Sequence, residues 1–213
     1  MKWTDEAIQK ERVLVQAARR AGKSYTALKW ALEIGVGNIL FVSHSEQMSL
    51  HAFETLVQNF KDKVERIERT NKRVGLLNGT MIHFVHGSPE STRGLRMDAV
   101  VLDDMGYMSD MDVCLYFAVA AARPDFPFFA TYTKDYRGGV KRIKKMENVA
   151  PVHTITVDYL DMLEEGLITA KDVRDLMKAT SEKIFKEELG PFYPEERLTL
   201  KNKMFKHLLN KKG

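Results

Sequence analysis

Short apolar runs alternate along this chain with segments whose apolar positions recur every three or four residues, a pattern that predicts strands joined by crossover helices. From Val13 the sequence VLVQA reads as a buried strand running into the turn Gly22-Lys23-Ser24. Residues 25–34 (YTALKWALEI) have helical spacing at Leu28, Ala31 and Leu32 and stop at Gly35 and Gly37. Residues 38–43 (NILFVS) predict a second buried strand, and residues 46–60 a helix with Met48, Phe53, Leu56, Val57 and Phe60 on its apolar side. Segments 73–77 and 80–85 flank Asn78-Gly79, a hairpin signal because both turn positions accept positive φ. Residues 99–102 (AVVL) form a short strand ending in Asp103-Asp104, followed by a helix over about 111–122, a core strand over 126–133 (FPFFATYT) and a last strand over 154–157.

The order strand, helix, strand, helix predicts an α/β fold with a mostly parallel central sheet, decorated by one hairpin. From Tyr159 onward the pattern is helical: 159–165, 170–177, 181–188 and about 195–210, punctuated by Gly166, Gly190, Pro191 and Pro194. The expected organisation is a core over 1–158 and a small helical subdomain over 159–213.

Composition sharpens this in three places. With 213 residues, 44% hydrophobic and 29% charged, the chain is long enough for a substantial core. It has no run of about 18 apolar residues and no signal-peptide core in its polar start, so a cytoplasmic protein with no membrane partner is expected. The single Cys114, among apolar neighbours, is expected as a buried thiol, and the six histidines lack metal-ligand spacing. A metal, if used, would be Mg²⁺ on oxygen ligands. The net charge of +4 and pI near 9.0 permit a polyanionic partner. Most of the excess lies in 137–145 (RGGVKRIKK) and 201–212 (KNKMFKHLLNKK), where a solvated face and a nucleic-acid contact are equally compatible with the sequence.

The Gly22-Lys23-Ser24 turn carries the candidate chemistry. Between a strand and a helix it places backbone N–H groups of Ala18, Arg19, Arg20, Ala21, Gly22, Lys23, Ser24 and Tyr25 around a phosphate, with the Lys23 ammonium on the β/γ-phosphates and the Ser24 hydroxyl on Mg²⁺. Ala17 stands where the G-x-x-x-x-G-K-[ST] pattern has its first glycine, which requires that residue to avoid positive φ. Asp103, ending an apolar strand, is the expected Mg²⁺ acid, and Asp104 the carboxylate that orients and deprotonates water. Thr131 and Thr133, at the carboxyl end of a core strand, are placed to face the γ-phosphate. For the cation that stabilises the transferred phosphoryl group, Arg19 is the choice in cis and Arg93 or Arg137 in trans, whereas Arg20 and Arg96 read as surface residues.

Taken in order, ARRAGKS, SHSEQMSLHAFETL, NGTMIHFVHGSPESTRGLRMDAVVLDD, FFATYT and IFKEELGPFY resemble the ATPase domain of large terminase subunits, the DNA-packaging motors of tailed bacteriophages. The resemblance covers roughly residues 12–193. It implies an additional-strand P-loop NTPase (the ASCE type) that hydrolyses ATP with Mg²⁺, a homo-oligomeric ring on double-stranded DNA, and a portal protein as partner. Under it Gly22, Lys23 and Ser24 bind phosphate and Mg²⁺, Arg19 is the loop arginine, Asp103 the Mg²⁺ acid, and residues 130–133 the motif coupling hydrolysis to movement. The helices after Tyr159 then match the family's linker subdomain.

Three features depart from that family. Glutamate is usual where this chain has Asp104. The adenine-contacting segment lies upstream of the phosphate loop, where Trp3 and Gln9 are the candidates. An RNase H-like nuclease domain follows the linker in the family but not in this sequence, so cleavage is expected from a separate nuclease subunit or a separate region. Two other readings stay open at this stage: another P-loop translocase, and a nucleotide-binding structural or regulatory subunit with little hydrolysis.

Overall fold

The structure, a computed structural model, describes residues 2–86, 96–121, 123, 125–134, 136–146 and 151–190. Arg93, the helix expected over about 195–210 and the basic stretch 201–212 lie outside the described residues. The elements run α1 (Lys2–Ile8), β1 (Arg12–Ala17), α2 (Lys23–Glu33), β2 (Asn38–Ser43), α3 (Glu46–Asn59), β3 (Val64–Glu68), β4 (Arg73–Leu76), β5 (Met81–His86) and β6 (Ala99–Asp103). They continue with α4 (Asp110–Ala121), β7 (Phe128–Tyr132), α5 (Gly139–Met146), β8 (His153–Val157), α6 (Tyr159–Glu164), α7 (Ala170–Ala179) and α8 (Glu182–Leu189).

The eight described strands form one sheet in the order β3-β4-β5-β2-β6-β7-β1-β8. From β5 to β8 every pairing is parallel, while β3 and β4 add antiparallel at one edge. The expected hairpin is β4–β5, with Thr80 N–H on the Asn78 side-chain oxygen at 3.0 Å.

Both faces of the parallel strands are apolar because helices cover both. Successive side chains alternate, so Val13 and Val15 join one buried cluster with α1, α2, α3 and the helices after β8, whereas Leu14 joins a second with α4 and α5. Tyr159, Leu160, Met162, Val173, Phe185 and Leu189 belong to the first cluster together with Ala17 and Ala18 at the end of β1. The described helices after residue 158 thus share the core of the sheet.

Three elements escape the sequence pattern. Helix α1 buries only Trp3, Thr4 and Ala7, too few for a period. Strand β3 is a polar edge strand with no fully buried position. Helix α5 lies inside the basic stretch, anchored by Val140 and Ile143.

Candidate nucleotide site

Strand β1 delivers the chain to the carboxyl edge of the sheet, the position where open α/β sheets receive ligands. Ala17 is fully buried and is not among the positive-φ residues, which explains why alanine stands at the first glycine position. The turn is made further on, where Gly22 has φ 84° and Arg20 has φ 65°. Left-handed geometry is open to glycine and costs other L-residues about 1–2 kcal/mol. Gly22 also brings no side-chain cap to α2, which leaves the first-turn N–H groups directed at the cleft, as an anion seat requires.

Neighbours hold the loop from behind. Ala18 N–H donates to the Val157 carbonyl at 2.8 Å, and Arg19 N–H to the Glu188 carbonyl at 2.9 Å. Inside the loop the Lys23 ammonium donates to the carbonyls of Ala17 at 3.3 Å and Ala18 at 3.2 Å, and to the Thr133 hydroxyl at 2.8 Å. Thr133 donates its own proton to the Ala17 carbonyl at 3.0 Å. Burial lowers the Lys23 pKa, and the carboxylates of Asp104, Asp103 and Glu188 oppose that shift.

The acidic half is built around Thr131. Its hydroxyl donates to Asp103 Oδ1 at 2.9 Å and accepts from the Asp104 N–H at 2.8 Å. Thr131 is fully buried and Asp103 nearly so. One hydroxyl therefore orients the first carboxylate and fixes the backbone of the second, which stands at φ 54°. Burial raises the Asp103 pKa, against hydrogen bonds from the Ser24 and Thr131 hydroxyls. Asp104 faces a cleft of about 440 Å³ that Gly22, Lys23, Ser24, Tyr25 and Thr133 also line.

Thr131 faces the acidic pair. Its hydroxyl serves Asp103 and Asp104, so its geometry lends no support to a direct phosphate contact, and Thr133, which meets Lys23, is the threonine at the cleft. Ala18 and Ala21 are buried and wall the loop from below. Arg19 and Arg20 line the cleft. Arg137 is exposed, and Arg96, also exposed, lies 3.8 Å from Asp98. Trp3 is buried beside a different cleft of about 510 Å³ along β8, and Gln9 is exposed. Cys114, expected to be buried, is half-buried because it sits on the flank of α4 and not on the stripe of Val113 and Tyr116.

Sequence reasoning gave no role to Glu188, Tyr136, Tyr107 or His51. Glu188 and Tyr107 line the cleft with His51. The Glu188 carboxylate accepts from the Tyr136 hydroxyl at 2.7 Å and lies 3.7 Å from Arg19 Nε. Burial and this carboxylate raise the Tyr136 pKa. Tyr136 stacks on Tyr107 with ring centroids 4.7 Å apart, and Tyr107 meets His44 at 4.8 Å. The signal for Glu188 was its place in KEELG, but a partner 169 residues away in sequence cannot be read from spacing.

Ser24 and Asp103 bring a hydroxyl and a carboxylate near one another, the hydroxyl lowering the carboxyl's pKa. Hard oxygen donors of this kind fit Mg²⁺. Among the described residues no group of three or more His, Cys, Asp or Glu is arranged to hold a metal by itself, so phosphate and water would complete such a site. No described helix is long and apolar enough to cross a membrane.

The Gly-Lys-Ser turn after β1, the aspartates at the end of β6, and β7 inserted between those two strands define the additional-strand P-loop NTPase fold. Comparison with solved structures narrows it to the fold of terminase ATPase domains. The ATPase domain of the Thermus phage P74-26 large terminase superposes with TM-score 0.64 at 14% identity, over 87% of this chain and 90% of that one. The large terminase of bacteriophage HK97 matches with TM-score 0.59 at 15% identity, over 92% of this chain and 51% of that one. The large terminase of a thermophilic bacteriophage in complex with ADP matches with TM-score 0.59 at 12% identity, over 85% and 48%. This chain thus spans about half the length of those two terminases. No protein-family model and no curated protein matches the sequence.

Proposed function

We propose that this chain is a Mg²⁺-dependent ATPase of the DNA-packaging type, acting in the cytoplasm of an infected cell as part of a ring on double-stranded DNA with a portal protein. The observation that supports this most is the convergence on one cleft of Lys23 in its loop, Ser24 against Asp103, and Asp104 held by Thr131. Lys23 and the first-turn N–H groups of α2 bind the phosphates of ATP, and Asp104 orients and deprotonates the attacking water. Ser24 and Asp103 would hold Mg²⁺, which when bound neutralises phosphate charge. Arg19 lies beside the loop with its side chain 70% exposed, within reach of charge developing on the γ-phosphate once it leaves Glu188.

Lys23→Ala is expected to abolish phosphate release while leaving the circular dichroism spectrum intact. Wild-type turnover by that variant refutes the assignment.

A second reading, a nucleotide-binding subunit with little hydrolysis, draws on Asp104, whose carboxylate is one methylene shorter than glutamate on a left-handed backbone. Asp104→Glu separates the two. A rise in turnover identifies an enzyme slowed by the short side chain, and unchanged nucleotide binding without turnover in either form identifies the regulatory role.

A further inference from the structure

Helix α5 follows directly from the strand that carries Thr131. Its sequence, GVKRIKKM, has cations at Lys141, Arg142, Lys144 and Lys145 and no acidic residue. Val140 and Ile143 are buried in the second core cluster, so the helix uses its apolar residues to hold the sheet. Lys141 and Lys144 are exposed. Lys144 lies over the Tyr132 ring at 5.9 Å, a contact that by itself cancels no charge. Arg137, just before the helix, is exposed as well.

Three features give this surface its kind of partner. A helix lying in a lipid interface needs apolar side chains on its outward face, and Val140 and Ile143 are turned the other way. The first residue of α5 is pressed on its neighbours: a Cβ at Gly139 would stand 2.7 Å from the Met108 carbonyl oxygen and 2.8 Å from Val113 Cγ2. The helix is therefore a fixed rail, able to present charges at constant spacing. Lys141 and Lys144 are three residues apart, about 4.5 Å along the helix axis, which is of the same order as the roughly 3.4 Å axial step between phosphates of one DNA strand.

We infer that the exposed side of α5, with Lys141 and Lys144, is a contact surface for the phosphate backbone of duplex DNA. That the polyanion is DNA rests on the function proposed above; that α5 is the contact stands on the charge and packing of the helix. Such a contact reads no sequence, since phosphates position a protein on a duplex without specifying bases.

The test is fluorescence anisotropy with a labelled mixed-sequence duplex of about 40 base pairs, titrated with the full chain at salt from about 50 to 200 mM. The wild type is compared with Lys141→Gln/Lys144→Gln and with Lys141→Glu/Lys144→Glu. Each phosphate contact contributes about 0.9 to the slope of log affinity against log salt, so loss of two shrinks the affinity change across that fourfold salt range by about ten-fold.

Weaker binding by the Gln pair with that shallower slope, and weaker still by the Glu pair, supports the surface. Equal affinity and slope in all three proteins overturns it, as does wild-type protein that fails to bind the duplex at the lowest salt. Loss of binding to anionic phospholipid vesicles with duplex binding unchanged overturns it in favour of a membrane. Phosphate release without DNA is measured on the same samples. Its presence in every variant keeps a failure of the DNA surface separate from a failure of the ATPase reading, and shows that the variants are folded.

Discussion

Replacing Thr131 by valine removes one hydroxyl and little else, since the two side chains have nearly the same shape. Thr131 is fully buried, and its hydroxyl links Asp103 Oδ1 at 2.9 Å to the Asp104 N–H at 2.8 Å. The variant leaves a part-buried N–H without its acceptor, at about 1–3 kcal/mol, and takes from a buried carboxylate a hydrogen bond of the charged kind, at about 1.5–3 kcal/mol. Asp103 keeps the Ser24 hydroxyl and relieves part of its loss by taking up a proton, so the expected destabilisation is about 2–4 kcal/mol. For a chain of this size that corresponds to a fall in Tm of roughly 5–15 °C.

Urea unfolding followed by circular dichroism measures it, with Thr131→Ser as the control that keeps both hydrogen bonds and gives up a methyl group. The Asp103→Asn background completes a double-mutant cycle, in which the cost of valine should shrink because the charged acceptor is gone. A valine variant within about 0.5 kcal/mol of wild type, or a serine variant as unstable as valine, refutes the reasoning. If Thr131 acts by positioning Asp104, turnover in the valine variant should fall further than nucleotide affinity does.

Asp103→Asn should raise Tm while abolishing turnover, because burial holds the Asp103 pKa above the ordinary aspartate range. With the folded value raised, the folded state binds the extra proton between the two pKa values, so the wild type loses stability as pH rises through that window. The stability gap between the variant and wild type is therefore smallest in acid and widens upward; a constant gap would contradict this. Gly106→Ala should destabilise by about 1–3 kcal/mol, since a Cβ there would stand 1.9 Å from the Lys134 carbonyl oxygen. A thermal melt equal to wild type would show that the 133–138 segment yields freely.

The parallel sheet was legible because its strands are apolar on both faces, as in NILFVS and AVVLD, and because Asn78-Gly79 announced the hairpin. The turn that lines the cleft was legible from Gly22-Lys23-Ser24, and the position of Asp103-Asp104 from the strand before them. What stayed hidden depends on long-range approach. The hydroxyl of Thr131 looks the same in sequence whether it meets a ligand or, 28 residues back, Asp103. Glu188 acquires meaning only when α8 lands behind the loop. Helix α5 hid because two apolar residues among lysines and arginines make no period that stands out from a solvated stretch.

The two hydrogen bonds behind the phosphate loop have a consequence for the order in which the protein is made. Ala18 waits for Val157, and Arg19 for Glu188, so the loop is made well before the segments that brace it. Closing contacts of such long sequence separation come late in folding. A nascent chain stalled before α8 would carry Gly22-Lys23-Ser24 complete in sequence and unbraced in space, and the nucleotide affinity proposed for this loop should appear only once α8 has left the ribosome.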